Sequence, residues 1–166
     1  MKRKVGLLAL ALILGLFVAA CGGGSSGGTA GGDRLSKDDY LTKVNAVGEK
    51  MRAIGEKMSA TMQALGDTPP DPEAGGKQFE DLSTALKGAA DDLAALNPPE
   101  EVEDAHKKFT EGVSMLADDI GKAGEGMMSG DMGEAMGFVS TLASSDAMKK
   151  IQEAADELEK AGYNVG

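Results

Sequence analysis

Apolar residues return every three or four positions along most of the chain and nowhere alternate with a period of two, a pattern of amphipathic helices rather than strands. Tyr40, Val44, Val47, Met51, Ile54, Met58, Met62 and Leu65 form the first series. Ser36, three residues ahead of Asp39, opens it as a capping box would, and Gly66 ends it. Residues 67–76 hold Pro69, Pro70, Pro72 and a glycine pair, which predicts a loop. Phe79, Leu82, Leu86, Ala89, Leu93 and Leu96 mark a second helix. Asn97-Pro98-Pro99 stops it, because Pro99 disfavours helical geometry at Pro98 yet suits the first turn of a new helix. Glu100, Glu101 and Glu103 then sit where the positive N-terminal dipole of the next helix favours anions.

The third series is Val102, Phe109, Val113, Leu116 and Ile120, and Gly121, Gly124, Gly126 and Gly130 are expected to break it up. Asp131 with Glu134 caps a fourth, which carries Met132, Met136, Val139, Leu142, Ile151, Ala154 and Leu158. Ser144-Ser145-Asp146 is its point of kink or restart. Short connections force antiparallel neighbours, so the expected fold is all-α: an antiparallel up-down four-helix bundle over residues 36–166. A three-helix bundle with a detached helix is the alternative.

Ahead of the bundle the pattern changes twice. Lys2-Arg3-Lys4, the apolar stretch 5–17 and the small residues before position 21 have the three parts of a secretory signal, too short for a membrane span. Val18-Ala19-Ala20-Cys21 resembles the lipobox of bacterial lipoproteins. That resemblance implies that residues 1–20 are a signal peptide and that Cys21 receives a diacylglyceryl group before cleavage makes it the mature N-terminus. Two acyl chains give stable anchoring, at about 0.8 kcal/mol per buried methylene. The competing reading is an ordinary cleaved signal and a free thiol, a liability in an oxidising compartment. Gly22 follows Cys21, so the aspartate linked by the resemblance to inner-membrane retention is absent. The run 22–32, GGGSSGGTAGG, has no side chain able to build a core. It reads as a flexible tether of about 18 Å root-mean-square span, and residues 21–35 form the lipidated cysteine with its tether.

Composition narrows the function. The chain carries 17 basic and 27 acidic residues. Without Lys2, Arg3 and Lys4 this leaves 17 − 3 = 14 against 27, a net charge of −13. Nucleic acid and anionic headgroups are poor partners for such a surface, while cationic partners, metal ions or simple solubility stay open. There is no tryptophan, and two tyrosines with few phenylalanines offer no aromatic platform for sugars or single strands. One histidine and one cysteine exclude histidine-rich zinc sites and Cys-His catalysis, and leave any Ser-His-Asp chemistry dependent on His106.

A second likeness lies in "LSKDDYLTKVNAVG" and "LAALNPPEEVEDAHKKFTEGVSMLADDI", which resemble a loose group of uncharacterised secreted or lipid-anchored proteins of high-GC Gram-positive bacteria. Members of that group often read NAxC in the first helix and end in Cys-Gly. Here those places are Gly48 and Val165. If the family cysteines form a bridge from the first helix to the C-terminus, this chain lacks it, and packing must hold the tail. The resemblance implies location and fold and brings no assigned activity.

Methionine is the unusual residue class. Met58 and Met62 lie one turn apart late in the first helix; Met128, Met132 and Met136 share a spacing of four around the start of the fourth, with Met115 able to join them. An up-down bundle puts both sets at one end. Soft thioethers select copper(I), so these five are the candidate metal ligands, weighed against core or pliable interaction packing, the stronger reading. Glu103-x-x-His106 has the spacing of a di-iron element, but such sites need two of these and the chain has one histidine; an edge-of-core histidine is the expectation. Gly48 and Gly55, seven apart beside the first core stripe, predict close helix packing or a recess for an apolar ligand.

The expected function is a non-enzymatic, lipid-anchored domain on the outer side of the cytoplasmic membrane, binding another protein or an envelope component. It uses no cofactor beyond the lipid on Cys21 and no nucleic acid. The alternative is a small-ligand or copper binder using the methionine-rich end.

Overall fold

The computed structural model describes residues 33–67 and 71–165. The expected signal, the Cys21 lipobox and the glycine-rich run lie outside the described residues. Every regular element that is described is helical, with no strand among the described residues: α1 (Lys37–Asp67), α2 (Pro72–Ala94), α3 (Glu103–Ser129), α4 (Met132–Thr141) and α5 (Asp146–Lys160), with 3-10 turns at Glu100–Val102 and Leu142–Ser144.

The helix starts follow local chemistry. Ser36 Oγ accepts the Asp39 N–H at 3.2 Å, satisfying one of the orphan donors of α1. The α2 start differs from expectation: Asp71 accepts the Glu73 N–H at 3.0 Å and Pro72 takes the first helical position, so Gly75 and Gly76 belong to the helix and not to the preceding loop. Asp131 Oδ1 accepts the Gly133 N–H at 3.1 Å at the start of α4. The fourth predicted helix is divided, because Ser145 takes an extended backbone (φ −63°, ψ 154°) and its hydroxyl accepts from Met148 N–H, starting α5 afresh.

The larger correction concerns α3, which runs unbroken through Gly121, Gly124 and Gly126 to Ser129. Gly124 sits where another backbone crosses, and Gly121 faces the Ser83 side chain. A Cβ at Gly124 would lie 2.9 Å from the Gly76 carbonyl oxygen and 3.0 Å from Phe79 Cβ, and one at Gly76 would lie 2.8 Å from the Gly124 carbonyl oxygen. Their helical cost of about 1 kcal/mol each relative to alanine is therefore set against close packing of α2 on α3. Only Gly130 ends the helix: at φ +85° it lets the Asp131 N–H turn back to the Gly126 carbonyl, 2.8 Å away.

Residue pairs set the helix directions. Gly76 meets Gly124, Ser83 Oγ donates to the Ala117 carbonyl at 2.7 Å, and Leu93 meets His106, so α2 and α3 are antiparallel. Gly112 lies under Ala147 and Ile151, while Lys108 pairs with Glu157 at 2.6 Å, so α5 also runs against α3. Lys50 of α1 reaches Asp92 of α2 at 2.6 Å. Between them lies one core, in which Tyr40, Phe79, Leu93, Val113, Ile120, Leu158 and Tyr163 are essentially inaccessible to water. The ion pairs are about half exposed and add little; the buried apolar surface carries the stability.

The close packing expected of Gly48 and Gly55 is not there. Both are exposed, and a Cβ at either meets nothing within 4 Å. A seven-residue spacing places two glycines on one face without saying whether a partner covers that face. Each Gly→Ala replacement should raise the unfolding free energy by about 0.5–1 kcal/mol through helix propensity alone. Urea unfolding with an unchanged slope checks it, and a loss of stability would mean the face is covered.

Candidate functional site

The methionine end comes together at the level of helix termini only. Because α2 starts where α1 stops and Gly76 abuts Met128, the segments bearing Met58, Met62, Met128, Met132 and Met136 share one end. Their described side chains take different environments. Met58 packs against the core, Met62 is half-buried, and Met128 is 42 % exposed. Met132 and Met136 lie on α4, and their side chains are outside those described. Met115 is also exposed, whereas Met127, which belongs to no methionine spacing, is fully buried. Among the described residues no group of three or more His, Cys, Asp or Glu side chains is placed to hold a metal ion.

The opposite end holds the densest polar arrangement. His106 projects from the second turn of α3 into the core and is 5 % exposed, deeper than the edge position expected for it. Its Nε2 lies 3.0 Å from the Leu93 carbonyl and its Nδ1 lies 3.0 Å from the Tyr40 hydroxyl. A carbonyl only accepts, so Nε2 carries the proton; in the neutral ring that burial favours, Nδ1 is then a lone pair, and the Tyr40 hydroxyl donates to it. Leu93 sits in the last turn of α2; its carbonyl already accepts the Leu96 N–H at 2.9 Å, and His106 adds a second donor across the helix gap. One imidazole thus joins α1, α2 and α3. Burial pushes its pKa below the usual histidine value, with the Leu93 carbonyl opposing.

No family model, curated protein or solved structure matches the chain. The chemistry of this end is accordingly read from its own residues. Tyr163 packs edge-on against Tyr40 with ring centres 5.6 Å apart, and its hydroxyl donates to Glu101 Oε1 at 2.5 Å. That bond raises the phenol to about 12 and lowers the Glu101 carboxyl. Burial, with Tyr163 alongside, takes Tyr40 to about 12 as well. The Lys37 ammonium lies 4.6 Å from the Tyr163 ring centre.

The residues before α1 join the same end. Leu35 N–H donates to the Asn97 carbonyl at 2.8 Å, and Arg34 donates to the Pro98 carbonyl at 3.1 Å and to Glu103 at 2.7 Å. Glu103 therefore turns outward to Arg34 while His106, one turn on, turns inward, and the two do not converge as a di-iron element would require. Sequence reasoning placed Tyr40 and His106 on apolar stripes but missed Tyr163 and Arg34. Tyr163 stands alone after the last helix, so no periodicity flags it; Gly162 immediately before it was the available signal. Gly162 adopts φ +81° and lets the Tyr163 N–H return to the Leu158 carbonyl, 2.8 Å away, which directs the ring back into the core.

Proposed function

We propose that this chain is a lipid-anchored, non-enzymatic interaction domain displayed on the outer side of the cytoplasmic membrane, with Cys21 as the lipid attachment point. The observation that carries the reading is the order of three segments: a basic and apolar start ending in Val18-Ala19-Ala20-Cys21, a glycine-rich run, and a compact unit beginning at Asp33. Contacts of that unit begin at Arg34, directly after the run that reads as a tether. Among the described residues no helix is long and apolar enough to cross a membrane, so a lipid rather than a described span is the proposed anchor.

We read the domain as an up-down bundle of four rods, α1, α2, α3 and the α4–α5 pair, a reading supported by the antiparallel pairs above. The non-enzymatic part rests on His106. Both of its nitrogens are engaged inside the core, so the chain's single histidine does not stand beside a nucleophile at a surface cleft. A protein or envelope component is the proposed partner, and the excess of acidic over basic residues favours a cationic one.

Cys21→Ser tests the anchor. The variant should leave the membrane fraction or accumulate as unprocessed precursor, read by fractionation and intact mass; normal processing with full membrane retention would overturn the proposal. Cross-linking on intact cells then tests for the partner.

A further inference from the structure

We propose that His106 is an acid-sensitive latch that holds the start of α1, and the strap leading into it, against the junction of α2 and α3. The device goes beyond the anchoring reading and does not depend on it.

Burial favours a neutral ring. With Nε2–H committed to the Leu93 carbonyl, Nδ1 of the neutral ring is a lone pair, and the Tyr40 hydroxyl donates into it. A second proton on the ring turns the Tyr40 hydroxyl from donor to acceptor, and it places a charge in a site 5 % exposed beside a tyrosine that is 0 % exposed. The charged form is relieved when Tyr40 withdraws and water reaches the ring. Tyr40 lies one turn into α1, so its withdrawal carries Lys37, Leu35 and Arg34 with it.

The other groups facing this junction do not compete with His106 for the role. From α1 the ring meets Tyr40, and behind Tyr40 stands Tyr163 of the C-terminal tail; both phenols, at about 12, stay protonated. From α2 it meets the Leu93 carbonyl, while Asp92 at that helix end is taken by Lys50. Glu101 is held low by Tyr163, and so it remains ionised in mild acid. Glu103 is paired with Arg34, Lys37 lies over the Tyr163 ring, and on α5 Glu157 is paired with Lys108. The influences on the imidazole are its burial and the Leu93 carbonyl, with no carboxylate among them.

The sign follows. The folded-state pKa of His106 lies below the ordinary 6.5, so the opened form binds more protons, and acid favours opening as the pH falls through 6.5. Above that value the latch is fully closed.

Hydrogen exchange on the folded domain at about pH 7.5 and about pH 5, with rates corrected for intrinsic exchange, reads the device. Protection of α1 should fall at the lower pH, by no more than the roughly thirtyfold that 1.5 pH units below 6.5 allow, while α2 and the middle of α3 keep theirs. With the pH varied between these values, the loss should set in below 6.5 and run down to the NMR titration point of the imidazole in the closed domain, which is unambiguous because the chain has one histidine. His106→Gln, which keeps a donor and an acceptor but does not titrate, should abolish the pH response. If that variant does not fold, a wild-type loss confined between 6.5 and the imidazole titration point remains the criterion. Equal protection of α1 at both pH values, a uniform loss across all helices, a loss outside the interval between the histidine titration and 6.5, or an unchanged response in a folded His106→Gln variant would each overturn the proposal.

Discussion

Gly124→Ala is expected to destabilise the domain by about 1–3 kcal/mol, although alanine is the better helix former by about 1 kcal/mol. The clash outweighs the gain because of what the new methyl group meets. The Gly76 carbonyl oxygen at 2.9 Å, Phe79 Cβ at 3.0 Å and the Glu80 nitrogen at 3.4 Å all belong to the α2 backbone or its first side-chain atom. None is the free end of a flexible chain, so α2 itself must move off α3. That movement pulls on Ser83, whose hydroxyl donates to the Ala117 carbonyl, and on buried Phe79 and Leu82. Gly76→Ala should act in the same direction, and the double replacement should cost less than the sum, since one separation of the helices relieves both clashes. Urea unfolding of the three variants beside Gly48→Ala is the check. A Gly124→Ala protein as stable as Gly48→Ala would mean that α2 and α3 are not in backbone contact.

That opposition of sign shows how far the sequence could be read. Periodicity located the α1, α2 and α3 stripes, because burial of one helix face selects apolar residues at that spacing whatever the partner is. The residues Ser144-Ser145-Asp146, rather than the periodicity, marked the kink or restart, and Ser145 restarts the helix there. The glycines were read the wrong way round. Gly121, Gly124 and Gly126 looked like breaks and are points of close approach or burial inside one helix; Gly48 and Gly55 looked like packing points and face open space. A glycine reports only that a side chain is missing, and whether a neighbour fills the gap depends on a partner helix distant in sequence. The same limit hid the pairing of His106. Its stripe position indicated a place at the core, but its hydrogen bonds go to residues 66 and 13 positions away.

Tyr163→Ala is expected to cost about 3–5 kcal/mol, the usual range for truncating a fully buried aromatic ring, and to release the tail after α5. Tyr163 is 1 % exposed, lies edge-on to Tyr40 and reaches Glu101 on the turn before α3. It thereby ties the C-terminus both to α1 and to the α2–α3 connection. Tyr163→Phe separates ring from hydroxyl: it keeps the packing and removes only the bond to Glu101, so it should retain most of the stability. The Glu101 carboxyl, held low chiefly by that bond, should rise toward its ordinary range in the same variant. Thermal unfolding of the two variants and an NMR titration of Glu101 decide the matter. Equal losses for alanine and phenylalanine would assign the tie to the hydroxyl rather than the ring, and a Tyr163→Ala protein with wild-type stability would show that the tail does not hold the fold.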